Sequence, residues 1–204
     1  MGTRGIYGFR KNESDKLTYN HYDSYPEGLG RNVVEFINGH SIEDLNKIYD
    51  NIILVDEDSI PTQEQIEECK QWENLSVSKQ DEQDWYCLLR DAQGDLSAYD
   101  RGLKYMIDNH DFIFDSLFCE YGYIINLDTN RLEIYVGFQK VQDETSRYVV
   151  ENKNETEYYP CKMVTEIDLQ VIQGADNIDD VVKNIVEYCN GDVDDEWGWH
   201  KKIY

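Results

Sequence analysis

Between residues 120 and 139 the apolar side chains recur at every second position: Tyr121, Tyr123, Ile125 and Leu127, then Leu132, Ile134, Val136 and Phe138. Asp128-Thr129-Asn130-Arg131 separates the two runs. A period of two puts alternate side chains on opposite faces of a strand, and the polar break supplies a turn, so this segment is a β-hairpin. It constrains the chain more than any other feature, because two strands with an apolar face need more strands, or helices, to cover it. A second hairpin is predicted near the start, where residues 3–10 and 16–22 flank Asn12-Glu13-Ser14-Asp15. Residues 161–172 alternate well enough for one more strand, and Ile52-Ile53-Leu54-Val55 for a short one.

Helical spacing supplies the cover. Val33, Val34, Phe36 and Ile37 begin one apolar face after the Pro26-Glu27-Gly28-Leu29-Gly30 break, and Ser41 is a good N-cap for a helix over 42–50. Pro61 suits the first turn of a helix reaching about Trp72, and another is predicted over 82–92. Leu96, Tyr99, Leu103, Met106 and Ile107 have the spacing of a buried stripe and predict a helix over 95–108. Ile178, Val181, Val182, Ile185, Val186 and Cys189 predict one over 178–189, capped by Asp176 or Asn177 and stopped by Gly191. The expected fold is therefore α+β. An antiparallel sheet of two hairpins, at about 3–22 and 120–139, gains a strand near 161–172 and has helices packed on it. Residues 1–204 are expected to be one acidic domain, with 192–204 a flexible acidic and aromatic tail.

Charge narrows the function classes. Forty-two Asp and Glu against 19 Lys and Arg give a net charge of −23. Such a surface repels phosphate backbones and anionic lipids, which argues against direct nucleic-acid or membrane binding. No apolar run is long enough to span a bilayer and no basic-then-apolar leader is present, so a cytoplasmic location is expected. Cys69, Cys87, Cys119, Cys161 and Cys189 are odd in number and contain no C-x-x-C pair, which predicts reduced, buried thiols with neither metal nor disulfides. His40, His110 and His200 have no second histidine at metal-binding spacing, and no cofactor is expected.

Two kinds of site remain. The acid concentrates in residues 51–100 and 151–204, where Asp56, Glu57, Asp58, Glu64, Glu67, Glu68, Asp192, Asp194, Asp195 and Glu196 form candidate partner-binding clusters. Carboxylates spaced a few ångströms apart imitate a phosphate backbone, so they can occupy the basic groove of a nucleic-acid-handling protein. The same clusters also serve as plain solvated loops. The N-terminal block is nearly neutral and holds Arg4, Arg10 and Arg31 beside Tyr19-Asn20-His21-Tyr22-Asp23-Ser24-Tyr25. There His21 is a candidate general base oriented by Asp23, with Ser24 a candidate hydroxyl nucleophile. Arg4, Asn20 and Arg31, with the backbone N–H groups of Gly28 and Gly30 at a helix start, are candidate ligands for an anion such as a nucleotide phosphate. A turn that satisfies its own backbone through Asn20, Asp23 and Ser24 is the structural alternative.

The opening M-G-T-R-G-I-Y-G-F-R and the following Y-N-H-Y-D-S-Y-P-E-G-L-G, with W-Y-C-L-L-R-D-A-Q-G-D-L and Y-I-I-N-L-D-T-N further on, resemble an uncharacterised family of bacteriophage, prophage and gut-bacterial proteins. The resemblance runs to about residue 140. It implies a small phage-type accessory protein, a class that often blocks host defence, and carries no activity to any residue. The order of hairpin, helices and second hairpin is also similar to N-terminal-nucleophile hydrolases. Removing Met1 here exposes Gly2, and Thr3 would need a second cut. The leading expectation is a non-enzymatic anti-defence inhibitor whose acidic surface binds a basic host protein. Its alternatives are a nucleotide-binding sponge or hydrolase built on Arg4, His21 and Asp23, and a structural protein without a site.

Overall fold

The early hairpin closes through two residues with positive φ, Asn12 (52°) and Glu13 (60°), the backbone of a turn whose twist matches that of its strands. In a computed structural model, which describes residues 2–151 and 157–191, it joins β1 (Gly5–Lys11) to β2 (Ser14–Asn20). A single turn of π-helix, Pro26–Gly30, leads into α1 (Arg31–Asn38). Ser41 then accepts a hydrogen bond from the Asp44 N–H and so caps α2 (Ile42–Asn51), which is followed by β3 (Ile53–Val55).

The next fifty residues build a smaller lobe with its own core, in which Trp72, Trp85, Leu88 and Tyr105 are buried together. Thr62 and Gln65 form a capping box that starts α3 (Gln63–Cys69), and a 3-10 turn continues it to Trp72. The helix expected over 82–92 is only one turn, α4 (Trp85–Leu88), followed by a 3-10 turn over Arg90–Ala92. The helix expected over 95–108 does not form. A 3-10 turn covers Leu96–Ala98, Gly102 takes φ +98°, and β4 (Tyr105–Ile107) pairs in parallel with β3. Leu96, Leu103, Met106 and Ile107 are buried and Tyr99 packs partly buried against the same cores, but no helix joins them because the edge of β3 pairs with Tyr105–Ile107.

The later hairpin consists of β5 (Tyr121–Asn126) and β6 (Arg131–Val136), and β7 (Lys162–Asp168) adds to it antiparallel with a bulge at Ile134/Tyr135. The strand expected to run to 172 stops at Asp168, whose carboxylate accepts from the Gln170 N–H and caps α5 (Leu169–Gln173). The last described helix, α6 (Ile178–Asn190), is capped by Asn177 and ends at Gly191 with φ +77°. The sheet order is β2-β1-β5-β6-β7, mostly antiparallel, and the fold is α+β. One contact is parallel: β1 lies beside β5, from Gly5 opposite Tyr121 to Arg10 opposite Asn126, and fuses the two hairpins into one sheet.

Both faces of the sheet are covered. Tyr7, Phe9, Tyr123, Ile125 and Ile134 pack under the helices, against Val33, Ile37, Leu45 and Ile185. Ile6, Leu17, Ile124 and Tyr135 pack on the other side against Ile113, Cys119, Tyr148 and Cys161. That second face also buries Glu133. Its carboxylate accepts from Asn126 Nδ2 at 2.7 Å, from the Tyr135 hydroxyl at 3.0 Å and from both terminal nitrogens of Arg147. The five cysteines are free, four of them buried. No helix among the described residues is long and apolar enough to cross a membrane.

Removing one partner from a buried ion pair strands the other charge. Arg147→Ala is therefore expected to cost about 2–3 kcal/mol, softened by the two donors Glu133 keeps. A urea-unfolding midpoint equal to that of the unaltered chain would show that this network does not hold the loop to the sheet.

Candidate functional site

Strand pairing alone brings the first half of the site together. β1 and β5 start side by side, and β2 runs the other way, so the beginnings of β1 and β5 and the end of β2 meet at one end of the sheet. Arg4, one residue before β1, donates its N–H to Glu120 Oε1 at 3.1 Å and accepts the Glu120 N–H at 2.9 Å. This fixes the backbone so that the guanidinium lies 4.5 Å from the centre of the Phe118 ring. Tyr19, opposite Ile6, stands edge-on to Phe112, and its hydroxyl is hydrogen-bonded to His21 Nδ1 at 2.7 Å.

The smaller lobe supplies the other half. Arg90 sits between the rings of Tyr22 and Tyr86, 4.8 and 5.7 Å from their centres. Gln93 Oε1 accepts from Arg90 Nη1 at 2.6 Å and from the His21 N–H at 3.2 Å, tying the lobe to the end of β2. Gly94 makes this approach possible. Its N–H donates to the Tyr7 hydroxyl, its carbonyl accepts from Asn32, and its φ is +80°. A Cβ there would lie 2.7 Å from Asn20 Oδ1. Between the two halves runs a cleft of about 380 Å³, lined by Arg4, Tyr19, Glu57, Tyr86, Gln93, Ile107, Asn109, Phe112 and Phe118. Gln93 also lines a neighbouring cleft of about 320 Å³ that contains Arg90, Tyr22 and Asp95.

Ion pairing divides the seven arginines. Arg10, Arg31, Arg101, Arg131 and Arg147 each face a carboxylate, on Asp15, Asp179, Asp95, Glu166 and Glu133. Arg4 and Arg90 are the two remaining arginines, and neither has an ion-pair partner among the described residues. Burial lowers the His21 pKa below its ordinary 6.5, and the positive charges of Arg90 and then Arg4 lower it further. Burial also pushes the Tyr19 hydroxyl up to about 12, aided by Tyr86 and opposed by both arginines. At neutral pH the site thus offers two guanidinium groups, a neutral imidazole, protonated phenols and aromatic faces, in a chain of charge −23.

Several expected site residues lie elsewhere or are already occupied. His21 turns Nδ1 to Tyr19 and not to Asp23, so no His21–Asp23 pair orients a base. Ser24 is fully buried: its N–H donates to Thr3, its hydroxyl accepts from Asn20, and its carbonyl accepts from Tyr123. It staples the chain and is not presented as a nucleophile, and Asn20 is buried with it. Asp23 takes φ +50° and its carbonyl accepts the Leu29 N–H. Gly28 and Gly30 both donate their N–H groups to the Tyr25 carbonyl, leaving no free cradle for an anion. Gly28 is required by crowding instead, since a Cβ there would lie 2.1 Å from the Asp23 carbonyl oxygen. Arg31 is held 2.6 Å from Asp179 on α6, away from Arg4.

Of the acidic candidates, Asp56, Asp58, Glu64 and Glu67 are exposed. Glu68 is hydrogen-bonded to Lys104 and the Tyr105 hydroxyl, which hold its carboxyl below the usual range. Glu57 lines the cleft. Asp192, Asp194, Asp195 and Glu196 lie outside the described residues, as does the rest of the 192–204 tail. Among the described residues no group of three or more His, Cys, Asp or Glu side chains is arranged to hold a metal ion.

Sequence reasoning found Arg4 and His21 but missed Arg90, Tyr86, Gln93, Asn109, Phe112 and Phe118. One signal was available: Arg90 is the sole arginine between residues 32 and 100, within the most acidic part of the chain. Compared with protein-family models, curated proteins and solved structures, the chain finds no significant match.

His21 reports on this field. Because its folded pKa is lowered, the unfolded chain takes up a proton first, and His21 penalises the fold as pH falls below the ordinary 6.5. Observed by NMR, the ring is expected to titrate below 6.5 and to move upward in Arg90→Ala. An identical titration in that variant would place the guanidinium out of reach of the ring.

Proposed function

We propose that the protein binds a small anionic ligand with a planar ring, of the mononucleotide class, in the cleft lined by Arg4, which adjoins that of Arg90 at Gln93. One observation carries this reading: in a chain with a large excess of carboxylates, these two guanidinium groups are left without one, in neighbouring clefts that share Gln93. An unpaired arginine flanked by aromatic faces is suited to a phosphate through its fork of N–H donors. Tyr19, Tyr86, Phe112 and Phe118 offer faces and edges against which a ring can pack. About 380 Å³ is near the lower end for small-molecule pockets, which suits a single nucleotide better than a longer ligand. Such a protein acts as a nucleotide-sequestering sponge. A hydrolase that used His21 as its base would need that imidazole aimed at the ligand, and His21 does not line the cleft.

Calorimetric titration with nucleoside monophosphates tests this. Arg4→Ala and Arg90→Ala are each expected to weaken binding about tenfold or more, the scale of one charge-assisted hydrogen bond. Affinity is also expected to fall as salt rises. Unchanged affinity in the double variant would refute the site.

A second reading rests on Asp56, Asp58, Glu64 and Glu67, which are exposed and have no cation partner among the described residues. In it the protein is a phage-type anti-defence inhibitor in the cytoplasm, and this surface engages a basic nucleic-acid-handling host protein. Capture of such a partner at about 0.1 M salt, lost at about 0.5 M salt and in the fourfold Asn/Gln variant, supports it. Capture indifferent to both refutes it.

A further inference from the structure

One carboxylate, that of Glu57, lines the cleft together with Arg4, and the strand geometry accounts for its position. β3 and β4 run in parallel with Val55 opposite Ile107, so the residues that follow each strand, Glu57 and Asn109, emerge side by side. Asn109 is fixed on β2: its N–H donates to the Leu17 carbonyl, and its Oδ1 accepts from the Thr18 hydroxyl and the Tyr19 N–H. The only amide hydrogens left to it are on Nδ2, which donates to Glu57 Oε2 at 3.2 Å. Glu57 is thereby oriented through one oxygen, while its other oxygen has no hydrogen-bond partner and neither oxygen has a cation partner among the described residues.

An ionised carboxylate only accepts hydrogen bonds. A ligand filling this cleft therefore needs an anionic group at Arg4 and N–H donors where it meets Glu57. Guanine carries adjacent N1–H and N2–H donors on one edge, which match a carboxylate. Adenine presents a single amino group beside the lone pair of N1, and that lone pair would face the negative oxygen. Resting on the nucleotide reading above, we infer that Glu57, oriented by Asn109, selects guanine over adenine, so that the ligand class is a guanine mononucleotide. Specificity of this kind combines a new attraction with a repulsion against the competitor.

The test is calorimetric titration of the full chain with guanosine, inosine and adenosine monophosphates, repeated with Glu57→Gln. Glu57 is exposed and outside the core, so the variant should keep the melting temperature of the parent. Guanosine monophosphate is expected to bind about tenfold or more tighter than adenosine monophosphate, with inosine monophosphate, which lacks the 2-amino group, between them. Glu57→Gln should weaken the guanine nucleotide about tenfold and bring the guanine-to-adenine ratio near one. Equal binding of all three, still lost in Arg4→Ala, overturns the base selection and leaves the nucleotide site standing. Binding of none of them overturns both.

Discussion

The parallel contact between β1 and β5 is the constraint on which the rest depends. Two antiparallel hairpins could have packed face to face or joined in opposite sense. Joined in parallel, their turns fall at one end of the sheet and the starts of β1 and β5 at the other. At the turn end Asp128 accepts from the N–H groups of Asn12 and Glu13, at 2.7 and 2.9 Å, and these hydrogen bonds lower its pKa. At the opposite end the same register sets Arg4 beside Glu120 and Phe118, with Tyr19 on β2 and His21 just past its end. The site is therefore a consequence of sheet topology, completed when the Arg90–Gly94 turn docks through Tyr7, Asn20 and Asn32.

Charge in this chain is arranged by what each cation is given to do. Most arginines are used as struts, between strands, between helices or against buried Glu133, and each takes a carboxylate. Arg4 and Arg90 face rings instead. An aromatic face attracts a cation without neutralising it, so the charges of both arginines still act on His21 and Tyr19, lowering the pKa of each. Against a background of −23 such a spot is a local exception, and an anion drawn to it gains an attraction that the surrounding surface denies it.

What could be read from the sequence was whatever local chemistry decides. The alternation at 121–136, the cap at Ser41, the cap at Asp176 or Asn177, which falls on Asn177, and the stop at Gly191 each depend on neighbours a few residues away and appear in the structure, whereas Phe138 lies past the end of β6 and is exposed. Elements decided at a distance were not legible. Residues 95–108 have helical spacing, yet Tyr105–Ile107 became a strand because β3 offered an edge. Ser24 has the chemistry of a nucleophile, yet Gly5 and Tyr123 enclose it. The candidate site divides in the same way. Arg4 and His21 stood out in a block poor in acid, whereas Arg90, Phe112 and Phe118 join them only through pairings over long stretches of chain. Gly28 and Gly30 looked like an anion cradle because the sequence does not reveal that the Tyr25 carbonyl takes their N–H groups.

The most direct test of the account is a crystal structure of the chain soaked with guanosine monophosphate. The account predicts the phosphate within hydrogen-bond distance of Arg4 and Arg90, with the base among Tyr19, Tyr86 and Phe112. A phosphate found instead at Arg31 or over the Gly28–Gly30 turn, with the Arg4 cleft holding only water, would contradict it.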